Sequence, residues 1–294
     1  MIEIKYKSSD GREYNLVGDR MRAISGSFHS YKWKPKTQEL NYGDRVSGFG
    51  KNSSNYELTI DVRGEEEERR TIMNNLTESF EHDILKEVPG RVFFGSYYND
   101  VYITESDTGP SDQNVSRTKR TILIYCPYPF WIREETKQFF PQSSVDVSDG
   151  LDYDFDYEFD YAPEQAGVER WYIDHYAPSD FNMIIFGPCV DPKILVNGYP
   201  YQIYTELEES DYLIIDSRKH EITKHMANGT TANLYNSRSF EHSVFEKIPC
   251  GDVVFNWPGN FGFDVTLFLE RSEPEFGSGS AYIETETGKY MITE

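Results

Sequence analysis

From Leu151 to Tyr161 the chain reads Leu-Asp-Tyr-Asp-Phe-Asp-Tyr-Glu-Phe-Asp-Tyr, acid and aromatic alternating with a period of two. Successive side chains of a strand point to opposite faces, whereas a helix scatters such a pattern around its axis. In an extended chain Tyr153, Phe155, Tyr157, Phe159 and Tyr161 share one face and Asp152, Asp154, Asp156, Glu158 and Asp160 the other. The tract is therefore expected to be a strand with a packed aromatic face and a solvated acidic one. A calcium site is the competing reading of the five acids. It fails because a strand holds same-face carboxylates roughly 7 Å apart, while calcium needs oxygens wrapped around it. The polar stretch from Pro141 to Gly150 precedes the tract and Tyr161-Ala-Pro-Glu-Gln-Ala-Gly follows it. It reads as the seam between two β-rich halves and as the first strand of the second.

The same period recurs along the chain. Ile2–Tyr6 and Glu13–Val17 read as a hairpin closed by Ser-Ser-Asp-Gly, and Asn55–Val62 places Tyr56, Leu58, Ile60 and Val62 on one face. The segment Gly43-Asp-Arg-Val-Ser-Gly-Phe-Gly between them reads as a connection, since its glycine spacing matches no phosphate-binding fingerprint. One amphipathic helix is expected over about residues 65–82. Its four opening glutamates suit the positive end of the helix dipole, and Glu65–Arg69 and Glu66–Arg70 sit at pairing distance. Ile72, Leu76 and Phe80, joined by Met73, form its apolar stripe, and Val88-Pro-Gly stops it. Strands at Arg91–Gly95 and Asp100–Thr104, joined around Tyr98-Asn99, are followed by a long exposed loop at Thr108–Thr118 and a buried strand at Arg120–Cys126. Pro127-Tyr-Pro-Phe-Trp then closes the first half, because two prolines forbid ladder bonding.

Beyond the seam, eight further strands are expected: Ile184–Phe186, Pro192–Val196, Tyr199–Thr205, Tyr212–Asp216, Glu221–His225, Ala232–Asn236, Gly251–Phe255 and Phe263–Phe268. Asn197-Gly198 and Asn228-Gly229 are hairpin signals of the type I′ kind. Strands at this spacing imply a sandwich or jelly roll.

Little in the sequence marks a reaction centre. His220-Glu-Ile-Thr-Lys-His225 is one residue too long for a zincin motif, and its histidines fall on opposite faces of a strand. No nucleophile elbow occurs, and no particular pair among the 50 acids is singled out. Three cysteines, Cys126, Cys189 and Cys250, form neither a disulfide framework nor a zinc spacing and are expected to be packing residues. Trp33, Trp131, Trp171 and Trp257 could stack on sugars but read as core or interface residues. A formal charge of −21 opposes a nucleic-acid-binding surface and docking on anionic lipid. No apolar run reaches membrane-spanning length, and no signal peptide is read at the N-terminus. No catalytic, metal or cofactor residues are therefore assigned.

The order of several short motifs is similar to one family. Ile122-Leu-Ile-Tyr-Cys-Pro-Tyr-Pro-Phe-Trp resembles the end of the N-terminal domain of siphophage distal tail (Dit) proteins, and the acidic-aromatic tract resembles their inter-domain passage. Phe186-Gly-Pro-Cys-Val-Asp-Pro, Ile215-Asp-Ser, Asn228-Gly-Thr-Thr-Ala-Asn-Leu-Tyr, Phe245-Glu-Lys-Ile-Pro-Cys-Gly and Phe263-Asp-Val-Thr-Leu-Phe-Leu-Glu-Arg-Ser-Glu-Pro follow in the order of the galectin-like C-terminal domain of the Gram-positive phage type. The resemblance implies a non-enzymatic virion protein at the tail tip, or baseplate, assembled in the bacterial host cytoplasm from a phage or prophage gene. Its N-terminal domains would form a homo-hexameric ring joining the tail tube protein to the tail-tip hub or tail fibre protein. A receptor-binding protein is a further partner, and DNA passes through the lumen without being bound. The expected fold is mainly β: an N-terminal β-sandwich-like domain with one helix, then a C-terminal galectin-like, jelly-roll β-sandwich. The corresponding division is 1–131 for the ring-forming domain, 132–150 for a linker, 151–274 for the galectin-like domain and 275–294 for an extension after a Gly-Ser hinge. The alternative is a carbohydrate-binding β-sandwich module, which stabilisation by millimolar sugar would favour. The galectin sugar-binding set of His, Asn, Arg and Trp finds no match in the sequence.

Overall fold

A computed structural model describes residues 3–109, 116–142 and 167–276. The tract Leu151–Tyr161, residues 143–150 of the expected linker, the centre of the Thr108–Thr118 loop and nearly all of 275–294 lie outside the described residues. The chain divides into two compact units, one of Met1–Arg133 with Glu270–Glu294, the other of Glu134–Leu269.

In the first unit, β1 (Ile4–Lys7) and β2 (Glu13–Asn15) form the expected hairpin. β3 (Met21–Gly26), β4 (Lys34–Glu39) and β5 (Asp44–Gly50) follow, and β5 replaces the connection expected from its glycines. No alternation betrays β4 and β5, because their side chains are exposed on both faces. β6 (Ser54–Arg63) leads into α1 (Glu66–Leu85), then β7 (Gly90–Phe94), β8 (Tyr97–Asp107) and β9 (Arg117–Cys126). β7 and β8 turn at Gly95, whose φ of 58° is the left-handed conformation glycine tolerates, so Tyr98 and Asn99 lie in the strand and not at the turn.

β8 serves two ladders. Its start pairs with β7 in the order β2-β1-β7-β8, while its end pairs with β9 in the order β3-β6-β9-β8, with a register shift between Ile103 and Glu105. A bulge of this kind bends a strand and lets it pass from one sheet to another. Tyr56, Leu58, Ile60 and Val62 face inward as their period requires, meeting Val92, Phe94, Val101, Ile103, Ile122, Ile124 and Trp131. The helix lays Leu76 and Phe80 on this core, flanked by the partly buried Ile72 and Met73. Two details of the helix depart from its amphipathic reading. Arg69 is buried, its guanidinium donating to Gly64 O at 2.9 Å, and the helix runs three residues past residue 82 before Glu87, at φ 55°, ends it. Arg120 of β9 reaches up to donate to Met73 O (3.1 Å) and Thr77 Oγ1 (2.8 Å), fixing the helix on the sheet.

β10 (Trp131–Phe139) begins in the first unit and ends in the second, so residues 132–139 are strand where a linker was expected. The second unit then contains β11 (Gly167–Ile173), β12 (Asp180–Phe186), β13 (Cys189–Val190), β14 (Lys193–Val196), β15 (Tyr199–Gln202), β16 (Glu206–Leu207), β17 (Tyr212–Asp216), β18 (Glu221–His225), β19 (Thr231–Asn233), β20 (Gly251–Trp257) and β21 (Phe263–Arg271). All eight expected strands are present, two with the expected bounds and six with shifted ends, whereas β11, β13 and β16 were not foreseen.

One sheet runs β19-β18-β17-β12-β21-β10 and the other β11-β20-β14-β15. Phe181, Met183 and Ile185 of β12 and Phe263, Val265 and Leu267 of β21 point inward from the first; Trp171, Ile173, Val253, Phe255 and Ile194 do so from the second. Two sheets sharing one apolar filling make a β-sandwich. Asn197 and Gly198 both take positive φ (49° and 85°), as a type I′ turn requires. At Asn228-Gly229 only Gly229 does (83°): Met226 O accepts from Gly229 N at 2.9 Å, and Asn228 Oδ1 accepts from Thr230 N at 2.9 Å. This is a type I turn followed by a left-handed glycine, not the I′ turn expected.

Candidate assembly surfaces

Most side chains singled out in the sequence as possible chemistry are spent on packing; Trp33, 41% exposed, is the exception among the tryptophans. Trp131 is fully buried and donates from Nε1 to Tyr56 Oη at 3.1 Å; Trp171 donates to Glu135 Oε1 at 3.2 Å, and Trp257 to Phe261 O at 3.0 Å. Both tryptophans of the second unit therefore face its core rather than a sugar. Burial pushes the Cys126 thiol up to about 12 and the Cys189 thiol up to about 11, which leaves both inert as nucleophiles. His220 packs against Phe245 at 4.9 Å, while His225 stacks on Tyr212 at 4.6 Å, so the two do not converge. Among the described residues no cluster of three or more His, Cys, Asp or Glu is placed to hold a metal.

Three features of the first unit remain. The first is a buried polar anchor at the end of α1. Asp83 is fully buried and accepts from Tyr6 Oη, Ser8 Oγ (2.7 Å), Ser9 Oγ (2.6 Å) and Ser9 N (2.9 Å). Burial first, then the neighbouring Asp83, pushes the Tyr6 phenol well above its usual range. No sequence period announced this anchor, because Asp83 lies beyond the stretch in which the apolar stripe was read.

The second is a shallow apolar groove of about 420 Å³ lined by Ile84, Glu87, Tyr102, Thr104 and Tyr125. The third is the β4–β5 hairpin, a two-stranded sheet of its own. At its root Lys51 Nζ lies 4.4 Å from the centroid of Phe130, 5.6 Å from Trp33 and 5.9 Å from Tyr31. That ammonium is buried with no hydrogen-bond partner among the described residues, and burial brings it down to about 8. Cation–π contacts on three rings partly replace the lost water.

Known proteins were compared with this fold and sequence. No protein-family model and no curated protein matches the sequence. Solved structures do match. The SPP1 Dit (gp 19.1) protein, described as a paradigm of the hub adsorption apparatus in phages infecting Gram-positive hosts, aligns with a TM-score of 0.61 at 9% identity, over 92% of this chain and 99% of its own. A chain of the phage P2 baseplate in its activated conformation with Ca aligns at 0.61 and 13%, over 93% of this chain and all of its own. The p2 baseplate with Sr gives 0.60 and 14% over the same shares. At such identities the likeness is one of fold. The chain has the two-part, mainly β fold of phage distal tail and baseplate proteins.

Proposed function

We propose that this chain is a structural, non-enzymatic distal tail protein of a phage or prophage. Its first unit forms a homo-hexameric ring at the tail tip, between the tail tube protein and the tail-tip hub or tail fibre protein. Its second unit, the galectin-like sandwich, offers attachment to a receptor-binding protein. The ring assembles in the host cytoplasm and lets DNA pass through its lumen, where an acidic chain offers no cationic wall to hold it.

The observation that carries this reading is that the likeness is coextensive. It takes in 92% of this chain and 99% of SPP1 Dit, so the whole two-part build is matched and not a single common module. Fold alone does not dictate function. Co-expression of the tagged chain with the tail tube and hub proteins encoded beside it tests the role. Stoichiometric co-purification of at least one of them is expected, and recovery of the chain alone under every condition contradicts it.

A further inference from the structure

Between β19 and β20 the chain runs through residues 234–250 with one short 3-10 turn, Tyr235–Ser237, and no other helix or strand. Connections longer than about 12–15 residues are uncommon in compact domains, and where they are ordered they usually serve a function. This one is tied down along its length. Val244 and Ile248 drop into the core of the second unit. Tyr199 Oη donates to Ser243 O at 3.0 Å, Tyr201 Oη to Glu246 O at 2.8 Å, Tyr204 N to Ser237 O at 2.7 Å and Ser239 N to Gln202 O at 3.0 Å. Held in this way, the loop sets out a row of flat groups. His220, from the turn between β17 and β18, packs on Phe245 at 4.9 Å, and Phe245 stacks on Tyr235 at 6.0 Å with 21° between the planes. The Arg238 guanidinium follows, 3.8 Å from the centroid of Tyr235 and 4.7 Å from that of Phe240. Phe245 ties the inner end of the row to the core, while Tyr235 and Phe240, the latter 74% exposed, leave the outer end open.

The chain carries 50 acidic residues against 29 Lys and Arg, yet Arg238 pairs with no carboxylate among the described residues. Its side chain donates only to Tyr235 O there. Two aromatic faces hold the guanidinium in place, so it has little rotamer freedom left to lose when its remaining N–H groups meet an anion. Its planar fork matches a carboxylate. Exposed Tyr and Phe beside an Arg are the residue types that concentrate binding energy at protein interfaces. A glycan asks for several placed polar partners for its hydroxyls, whereas this row offers one cation and the faces of aromatic rings. We infer that the row is the docking site for an acidic, aromatic-bearing segment of another protein. A carboxylate of that segment meets Arg238, and its rings lie on Tyr235 and Phe240. The occupant is set by complementarity, a charge without a partner flanked by exposed apolar faces. This deepens the reading of the second unit as an attachment domain and rests on it.

The test uses the full chain. Fluorescence anisotropy follows dye-labelled poly(Glu,Tyr), an acidic copolymer that carries aromatic rings, with poly-glutamate and polygalacturonate as comparisons. Arg238→Ala and Phe240→Ser lie outside the core, and an unchanged thermal unfolding curve confirms that each variant folds. Poly(Glu,Tyr) should bind the wild type more tightly than poly-glutamate does, and each substitution should weaken it about tenfold. Equal binding of the two acidic polymers, equal binding by wild type and variants, binding of polygalacturonate alone, or no binding at all overturns the inference. A benzophenone amino acid in place of Phe240, in the chain co-expressed with the tail proteins encoded beside it, reports the neighbour by peptide mass spectrometry. Crosslinks onto an acidic peptide of another protein are expected; crosslinks confined to this chain, its own 151–161 tract included, overturn the docking site. Co-purification with tail proteins that persists undiminished in Arg238→Ala removes the docking site and leaves the attachment role standing. A wild type that co-purifies with none of them contradicts the role instead, since polymer binding at Arg238 reads out with no tail protein present.

Discussion

Replacing Asp83 by alanine should cost the first unit more than any surface change of similar size. The carboxylate is fully buried and accepts four hydrogen bonds, all of them from β1 or the two residues just after it. Hydrogen bonds to a charged group are each worth about 1.5–3 kcal/mol, but these four are not independent. Ser8 Oγ already reaches Ser79 O at 3.4 Å and can turn to it when the carboxylate is gone. The Tyr6 hydroxyl, 2% exposed as a residue, loses its bond to Asp83 in a site that water does not reach. The expected cost of Asp83→Ala is about 3–5 kcal/mol, the range for stripping one partner from a buried polar network. Asp83→Asn keeps the shape and one acceptor and should cost about half as much. Hydrogen exchange read by mass spectrometry separates the units: protection of β6 peptides should fall while that of β12 peptides stays. A loss in β6 below about 1 kcal/mol, or an equal loss in β12, refutes the view that this carboxylate pins the helix to the first strand.

Three further outcomes are expected. A Cβ added at Gly167 would stand 2.4 Å from Trp257, which is 2% exposed and cannot yield, so Gly167→Ala should destabilise the second unit by about 1–3 kcal/mol in thermal unfolding. Lys51 sits at about 8 in the fold against an ordinary 10.5, through burial only weakly opposed by Glu273. An unfolded lysine keeps its proton up to 10.5, so the penalty is fully present below pH 8 and lifts as pH rises from 8 towards 10.5. Lys51→Met should therefore gain stability over the wild type below pH 8 and lose that advantage above it, whereas a pH-independent difference in urea midpoints contradicts the burial account. With Cys126 and Cys189 buried and Cys250 partly exposed, a disulfide reagent at pH 8 should modify one thiol in the native chain and all three after denaturation.

Alternation made the second unit readable. The strands expected at Tyr212–Asp216 and Glu221–His225 appear with those bounds, and the other six expected strands with shifted ends. β11 was missed because its run Gly-Val-Glu-Arg-Trp-Tyr-Ile buries Gly167, Trp171 and Ile173 while charge fills the gap between them. β13 and β16 are two residues each, too short for any period to register. The helix was legible from its stripe, but its buried Arg69, Ser79 and Asp83 were not, since burial of a polar side chain depends on partners distant in sequence. Tyr6 and Asp83 are separated by 77 positions. β5, the second strand of the β4–β5 hairpin, was read as a connection for the opposite reason. A ribbon exposed on both faces has no buried face to impose an alternation, and its glycines mimic a connection.

The central claim is cyclic assembly, and native mass across a range of protein concentrations tests it most directly. The account predicts a discrete particle of six 34.2 kDa chains that gains population with concentration. A chain that remains a single 34.2 kDa species at every concentration, with its tail-protein partners present as well as absent, contradicts it.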